Sequence, residues 1–262
     1  MNANLRSEVL AAVAGRLAER ARRSAVAHRD YRTVRREDQV WSAAGAGCAQ
    51  ALLWQGSAAR VALWRLDAGA ALPWPDDVTA QEVLIVQGHV HARAAGTDGD
   101  VLLAPHAYAL RAGRDAGSLR AVDADTQLYV RQLLVEPATL PEPEAAWWRL
   151  ERAPLQLVLP GDRRWRLTFP GVEVLPLWGN PAITSMLVRF AAGAGVPDHQ
   201  HAVHEDCLVL DGEMFLGDIL LRPGDYQLAP AGGGHFGEMS DVGGTFFFHG
   251  AIDPALVVPR TP

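Results

Sequence analysis

The sequence predicts an all-β chain in which two tandem β-barrels follow a single N-terminal α-helix. Short runs of branched and aromatic residues, such as ARVALWRL and TFFFH, lie between Gly, Pro, Asp and Asn, as short antiparallel strands require. The strand pattern occurs twice along the chain, whereas the first 30 residues carry apolar residues at helical spacing. These three observations set the fold class.

The N-terminal helix is predicted over residues 1–30. Leu5, Val9, Val13 and Leu17 recur every four residues among several arginines, which is the spacing of an amphipathic helix. We expect its apolar stripe to cover a barrel or the seam of a homodimer. The alternative is a helix that binds a protein partner.

An internal repeat defines the two barrels. A shift of 124 residues superimposes tryptophans, arginines and glycines, and a further one-residue slip aligns Gly99–Pro105 with Gly224–Pro230. Repeated glycines and prolines mark the same turns between the same strands. The pairs are Trp41 with Trp165, Trp54 with Trp178, Arg65 with Arg189, Gly69 with Gly193, Leu84 with Leu208 and Gly88 with Gly212.

The repeat places the first barrel at residues 31–136 and the second at residues 155–257, with a linker over 137–154. The linker is rich in proline. It also carries Trp147 and Trp148, and such large aromatic side chains are expected to dock on a barrel.

Composition excludes several classes of function. All 24 basic residues are arginine, so a Schiff-base or P-loop lysine is excluded. A net charge of -6 gives no reason to expect nucleic-acid binding. Two cysteines cannot form a disulfide framework. No apolar run is long enough for a bilayer, and Glu8 and Arg16 interrupt the N-terminal apolar stretch, which predicts a cytoplasmic protein without membrane association.

The second repeat carries a candidate metal site. Side chains alternate along a strand, so His199, His201, Glu205 and Cys207 are predicted to face the same way. His235 follows a glycine-rich turn and would come from a neighbouring strand. Three nitrogen donors and one oxygen donor suit a divalent transition metal.

The spacing G-x5-H-x-H-x3-E-x6-G, followed by G-x5-P-x-G-x2-H, resembles the two motifs of the cupin superfamily. Met239 stands where many cupins have asparagine. The resemblance implies RmlC-like jelly-roll barrels and a metal held by His199, His201, Glu205 and His235. Zinc or iron is expected first, and manganese or nickel is also compatible.

The first repeat lacks these donors. Under the repeat alignment, the four ligand positions hold Pro75, Asp77, Gln81 and Leu110. We therefore expect a degenerate first barrel without a metal.

Five further side chains near or outside the motif have polar or reactive groups. Cys207 is expected to be a small buried residue, with a redox reporter as the alternative. His204 is expected to point outwards, and His249 to be an ordinary strand-end histidine unless it faces inwards as an acid or base. His89, with its neighbour His91, is expected to face solvent.

Among cupins, the chain is most similar to the cupin-like domain of ChrR-type anti-sigma factors. The run Gly171–Trp178 and the motif GDYQLAPAGGGH carry this resemblance, as does Thr33–Arg35 leading to Trp41. It implies a regulatory protein that senses a ligand or oxidative stress. The zinc-binding H-x3-C-x2-C of the family's helical domain is absent, since no cysteine precedes Cys48, which leaves sigma-factor binding open.

An enzyme is the alternative. Related cupins include metal-dependent dioxygenases that act on small dicarbonyl or hydroxyketone substrates. A metal on these four ligands retains open positions that suit either a substrate or a signal molecule. We therefore expect a small-molecule ligand in the C-terminal barrel, and homodimerisation is expected because cupin barrels often pair.

Overall fold

The computed structural model describes residues 3–149 and 154–251, with side chains described from residue 6 onwards. It confirms the predicted fold class, because one long helix precedes strands that form two seven-stranded antiparallel sheets and three small ones. The helices are α1 (Ala3–Ala27) and the single turn α2 (Glu144–Trp147).

The strands alternate with tight turns throughout both repeats. Their bounds are β1 (Arg32–Val34), β2 (Trp41–Ala43), β3 (Cys48–Gln55), β4 (Ala59–Leu66), β5 (Ala80–Gln87), β6 (Val90–Ala94), β7 (Val101–Leu103), β8 (Tyr108–Ala112), β9 (Gly117–Ala121), β10 (Thr126–Leu133), β11 (Leu155–Val158), β12 (Arg166–Phe169), β13 (Val172–Gly179), β14 (Ile183–Phe190), β15 (His199–Gln200), β16 (Glu205–Gly212), β17 (Met214–Leu216), β18 (Ile219–Leu221), β19 (Tyr226–Ala229), β20 (Gly234–His235) and β21 (Gly244–Ala251).

The two large sheets have the same strand order, and they exchange their first strands. One sheet runs β11-β8-β5-β10-β4-β3-β2, and the other runs β1-β19-β16-β21-β14-β13-β12. Thus β1, from the start of the chain, pairs with β19 of the second repeat, while β11 pairs with β8 of the first. Domain boundaries at 31–136 and 155–257 remain a prediction, and the strand exchange crosses them.

The strand order corrects the second part of the repeat alignment. Because β7 pairs with β6 as β18 pairs with β17, β8 corresponds to β19. Tyr108 therefore matches Tyr226, and the turn residue His106 matches Gly224, both with positive φ (71° and 92°). The alignment of Gly99–Pro105 with Gly224–Pro230 was wrong, as was Leu110 as the counterpart of His235. Glycine-aspartate pairs occur in two different turns.

Each barrel has its own apolar interior, and a third cluster joins them. Val83 and Ile85 belong to the interior of the first barrel, and Val209 and Phe246 to that of the second. The joining cluster takes residues from both sheets: Leu53, Val61, Tyr129, Leu175, Leu187, Leu208 and Phe247. The barrels therefore pack against each other through a shared core, which burial of apolar surface stabilises.

The linker tryptophans dock on this shared core, as predicted. Trp147 and Trp148 are buried, at 2% and 7% exposure. The carbonyl of Trp147 accepts a hydrogen bond from Trp178 Nε1 at 2.8 Å. The segment around α2 is therefore part of the packed structure.

The helix α1 confirms the predicted periodicity. Its stripe is exposed in the single chain, with Val9 at 54%, Val13 at 48% and Leu17 at 60% exposure. Near the C-terminal end of α1, Arg20 pairs with Asp218 of the second barrel at 2.7 Å. None of the helices in the described ranges combines the length and the apolar character that a membrane span requires.

Candidate metal centre

Two short strands bring the candidate ligands together. His199 on β15 lies opposite His235 on β20. A Cβ at Gly234 would lie 2.4 Å from the carbonyl oxygen of His199, so glycine permits this close pairing. The prediction that His199, His201 and Glu205 share one strand was wrong, because β15 ends at Gln200 and β16 begins at Glu205. A turn, not simple alternation, carries His201 inwards.

Three of the four predicted ligands form a compact group. One donor atom each of His201, Glu205 and His235 lies within 4.8 Å of the others, and all three side chains are buried. The Nε2 atom of His235 is 3.4 Å from Oε2 of Glu205. Two nitrogens and one oxygen at this spacing could bind a single ion.

The two ring nitrogens of His201 are arranged as in a metal-binding histidine. Its Nδ1 donates a hydrogen bond to the carbonyl of Val203 at 3.2 Å. Its Nε2 is buried and has no hydrogen-bond partner among the described residues. A hydrogen bond from one ring nitrogen that fixes the lone pair of the other is typical of metal-binding histidines.

His199 lies beside this group. Its ring centroid is 5.4 Å from that of His235, and its Nδ1 donates to the carbonyl of Pro197 at 3.0 Å. The Nε2 atom is 4.0 Å from Oε2 of Glu238. His199 therefore lies next to the group without belonging to the set of donors within 4.8 Å of one another.

The electrostatics of the centre favour neutral imidazoles. Burial lowers the pKa of His201, and it lowers the pKa of His235 to about 4. Burial also raises the pKa of Glu238 to about 7. Neutral imidazole is the form that binds metals.

Glu238 was not among the predicted site residues, although it is buried at the centre. It lines a cavity of about 20 Å³ together with His199, Glu205, Cys207 and His235. The motif gives no signal for this carboxylate, because Glu238 follows His235 in an irregular loop.

Tyr31 was also missed, because it lies far away in sequence. Its hydroxyl donates to the carbonyl of Gly234 at 2.6 Å and accepts from the amide of Gly234 at 2.7 Å. Its ring packs edge-on against His235, with centroids 5.8 Å apart. Tyr31 therefore fixes the strand that carries this histidine.

The thiol of Cys207 lies in the same cavity. It is buried, and burial raises its pKa well above the ordinary value. The thiol form is therefore held at neutral pH, which makes Cys207 a poor nucleophile. This matches the expectation of a small buried residue.

The remaining histidines lie outside the centre. His204 is exposed, and its Nδ1 accepts a hydrogen bond from the amide of Ala231 at 3.3 Å. His249 faces the interface between the barrels, where its Nδ1 is 2.9 Å from Oγ of Ser185. His89 and His91 are partly exposed beside aspartates. His204, His89 and His91 are thus exposed or partly exposed, as expected, whereas His249 lies within β21 and faces the other barrel instead of the candidate metal centre.

The second barrel matches a known family model. Residues 155–253 match the family model described as the ChrR cupin-like domain. Among curated proteins, none matches the chain in sequence.

Several solved structures share the fold over most of the chain. The protein Ylba from E. coli has 13% identity and a TM-score of 0.65, covering 85% of this chain and 90% of its own. The oxalate decarboxylase of Lactobacillus farciminis, solved as a formate complex, has 12% identity and a TM-score of 0.60, covering 85% and 86%. HEPD of Streptomyces albus, solved with 2-hydroxyethylphosphonate and Fe(II), has 12% identity and a TM-score of 0.58, covering 88% and 79%. At these identities the likeness concerns the fold.

Proposed function

We propose, from the match of residues 155–253 to the family model described as the ChrR cupin-like domain, that the C-terminal barrel of a double cupin binds one divalent transition metal. The proposed ligands are His199, His201, Glu205 and His235. We further propose that the protein is regulatory, with the metal centre sensing a small ligand or an oxidative signal.

The observation that carries the metal proposal is the buried Nε2 of His201. A buried nitrogen without a hydrogen-bond partner is costly unless something binds it. The lone pair lies in a group of donors within 4.8 Å. A bound cation would satisfy it, and the metal would supply a Lewis-acidic centre with open positions.

The size of the cavity supports a sensor over an enzyme. About 20 Å³ is available beside the ligands, which accommodates an ion or a water molecule. Pockets that bind organic substrates are typically at least about 300 Å³. A dicarbonyl substrate is far larger than this space, so the signal that we propose is a small one, such as a diatomic molecule or a peroxide.

The test is the metal content of the purified protein, measured by elemental mass spectrometry. We expect about one ion per chain in the wild type and none in the His199→Ala/His201→Ala double variant. The matched control is His89→Ala/His91→Ala, which removes another His-x-His pair at a partly exposed site. A wild type without metal, or equal loss in both double variants, would contradict the proposal.

The identity of the metal then separates the two functions. Zinc cannot perform one-electron chemistry, so a zinc protein would be tested for a co-purifying protein partner. An iron protein would be tested for oxygen uptake with β-dicarbonyl and hydroxyketone compounds. Turnover of such a compound would replace the regulatory proposal with the dioxygenase.

The exposed stripe of α1 supports a proposed protein contact. Val9, Val13 and Leu17 are each about half exposed or more, and such a stripe usually finds a partner surface. We propose that this contact is a homodimer. Light scattering should give twice the chain mass for the wild type and the monomer mass for Val13→Glu/Leu17→Glu.

A further inference from the structure

A second cavity lies between the two barrels, apart from the metal centre. Its volume is about 310 Å³, and it shares no lining residue with the cavity at the metal ligands. Its walls come from the first barrel (Trp54), the linker (Trp147 and Trp148) and the second barrel (Val203 and His249). This size is within the range of small-molecule sites.

The polar part of this cavity is a guanidinium held in place by buried carboxylates. Arg131 is 7% exposed and lines the cavity. Its Nε donates to Oε2 of Glu82 at 3.1 Å. Its Nη2 donates to the hydroxyl of Tyr129 at 3.3 Å and forms an ion pair with Asp206. Within the described part of the chain, the hydrogen bonds of Arg131 use Nε and Nη2, which leaves the Nη1 edge for a ligand.

A histidine stands beside this guanidinium. Nδ1 of His249 is 2.9 Å from Oγ of Ser185 and 3.5 Å from Oε2 of Glu82. This side of the ring is therefore held by the protein. Because His249 lines the cavity, the opposite nitrogen, Nε2, is available to a bound molecule.

The charge of the network argues against an anionic ligand. Arg131 is opposed by two buried carboxylates, Glu82 and Asp206. Burial alone would raise the pKa of Glu82, but His249 and Arg131 lower it overall. Burial lowers the pKa of His249, which keeps the imidazole neutral. The network is thus net negative, and a further buried negative charge would be repelled.

The aromatic walls favour a planar ligand. Trp147 and Trp148 meet edge-to-face with centroids 4.7 Å apart, and Trp147 meets His249 at 4.8 Å. Trp54 faces them from the first barrel across the cavity lining. Indole walls bind flat aromatic molecules through dispersion and ring quadrupoles.

The cavity also touches the segment between two proposed metal ligands. The carbonyl of Val203 holds Nδ1 of His201 at 3.2 Å, and Val203 lines the cavity. Asp206, next to Glu205, forms the ion pair with Arg131. A ligand that moves this segment would change the position of both metal ligands.

We propose that the inter-barrel cavity binds a neutral, planar aromatic molecule bearing a hydrogen-bond acceptor, and that its occupancy is coupled to the metal centre through residues 203–206. The acceptor would bind the Nη1 edge of Arg131, and the rings would lie against the tryptophans. The binding is independent of the proposed function, whereas the coupling rests on it.

Coumarin is a suitable probe, because it is neutral, flat and carries a carbonyl acceptor. Calorimetric titration should show binding of coumarin. Naphthalene should bind about tenfold more weakly or worse because it lacks the acceptor, and 2-naphthoate should do so because it is negatively charged. Trp54→Ala should weaken coumarin binding about tenfold. The matched control is Trp165→Ala, a half-buried tryptophan away from the cavity, which should leave binding unchanged.

Three results would overturn parts of the proposal separately. No coumarin binding, or equal loss in Trp54→Ala and Trp165→Ala, would overturn the site. Equal binding of 2-naphthoate would overturn the ligand class. Equal coumarin affinity in metal-loaded and chelator-treated protein would overturn the coupling, whereas a wild type without metal in elemental analysis would overturn the proposed function and leave the aromatic site standing.

Discussion

The two barrels use the same strand positions in opposite ways. In the second barrel, Glu205 on β16 lies opposite Ala229 on β19. In the first, Gln81 on β5 lies opposite Arg111 on β8. The small Ala229 leaves space where the imidazoles converge, whereas the Arg111 side chain occupies the equivalent interior.

Arg111 fills the interior of the first barrel and donates hydrogen bonds to polar groups there. Its Nη1 donates to Oε1 of Gln81 at 2.7 Å and its Nη2 to the carbonyl of Gly117 at 2.7 Å. The guanidinium carbon lies 4.9 Å from the ring centroid of Trp74. Burial lowers the pKa of Arg111 to about 10, so the charge persists at neutral pH. In the first barrel, a protein cation thus occupies the interior that corresponds to the group of His201, Glu205 and His235 in the second barrel.

The strongest test of this difference between the barrels places the residues of the first barrel at the equivalent positions of the second. Glu205→Gln with Ala229→Arg should abolish metal binding, because a carboxylate ligand is lost and a fixed cation enters the centre. Elemental mass spectrometry measures this, with circular dichroism to confirm folding. Glu205→Gln alone guards against misfolding, and full metal content in both variants would refute the comparison.

The next test concerns the titration of His235 and Glu238 in the metal-free protein, because the two groups affect stability with opposite dependence on pH. His235 has a folded pKa near 4, below its unfolded value, so its contribution to stability is lost as pH falls from about 6.5 to 4. Glu238 has a folded pKa near 7, above its unfolded value, so its contribution is lost as pH rises from about 4.5 to 7. In the wild type, these two contributions to the pH dependence of the free energy of unfolding cancel.

A variant that removes one of the two groups should therefore show the pH dependence of stability that the other group contributes. Between pH 4.5 and 6.5, the free energy of unfolding should rise with pH by about 3 kcal/mol in Glu238→Gln and fall by a similar amount in His235→Asn. Urea unfolding at several pH values measures both. Parallel curves for the two variants would show that these side chains do not titrate in this way.

Removing the guanidinium of the first barrel should cost less. Arg111→Met removes the hydrogen bonds that Arg111 donates to Oε1 of Gln81 and to the carbonyl of Gly117, which should lower the free energy of unfolding by about 2 kcal/mol. Metal content should not change. The control is Arg120→Met, because Arg120 lies in the same barrel and is exposed; its effect should be about 0.5 kcal/mol or less. A loss of metal in Arg111→Met would contradict the division of roles.

The smallest expected effect concerns Tyr31. In the strand registers, Tyr31 occupies the position that Leu155 has in the first barrel. Tyr31→Leu should weaken metal affinity about tenfold, because the strand carrying His235 loses two hydrogen bonds. Competition with a chelator measures the affinity. Tyr31→Phe should show most of this loss, since the hydroxyl makes both bonds; an unchanged affinity in Phe would assign the effect to packing.

Motif spacing predicted that these side chains lie close together, and three of the four predicted ligands do so, with one donor atom of each within 4.8 Å of the others. Closure of a barrel leaves few ways to arrange two histidines and a glutamate. Predictions from motif spacing were wrong where they depended on the register between strands. The connection from β6 to β7 spans residues 95–100, whereas that from β17 to β18 spans 217–218. This difference displaces the glycine-aspartate pairs, so Leu110 was wrongly assigned as the counterpart of His235.

Partners from distant segments were also beyond prediction. Tyr31 reaches the candidate metal centre through strand exchange, and Glu238 reaches it from a loop. Neither has a local pattern, because each position depends on packing between segments far apart in sequence. Helix α1 and the docking of Trp147 were predictable, because periodicity and apolar area are properties of the segment itself.

The exchange of β1 and β11 also has a consequence during synthesis on the ribosome. The first sheet is complete once Leu155–Val158 has emerged, after the linker. In contrast, β1 emerges early and must wait for Tyr226–Leu228 before its backbone groups are paired. A nascent chain therefore carries an open strand edge beside its first barrel until nearly all of the second has been made. Neither half, expressed alone within the proposed boundaries, would contain the strand that completes its own sheet.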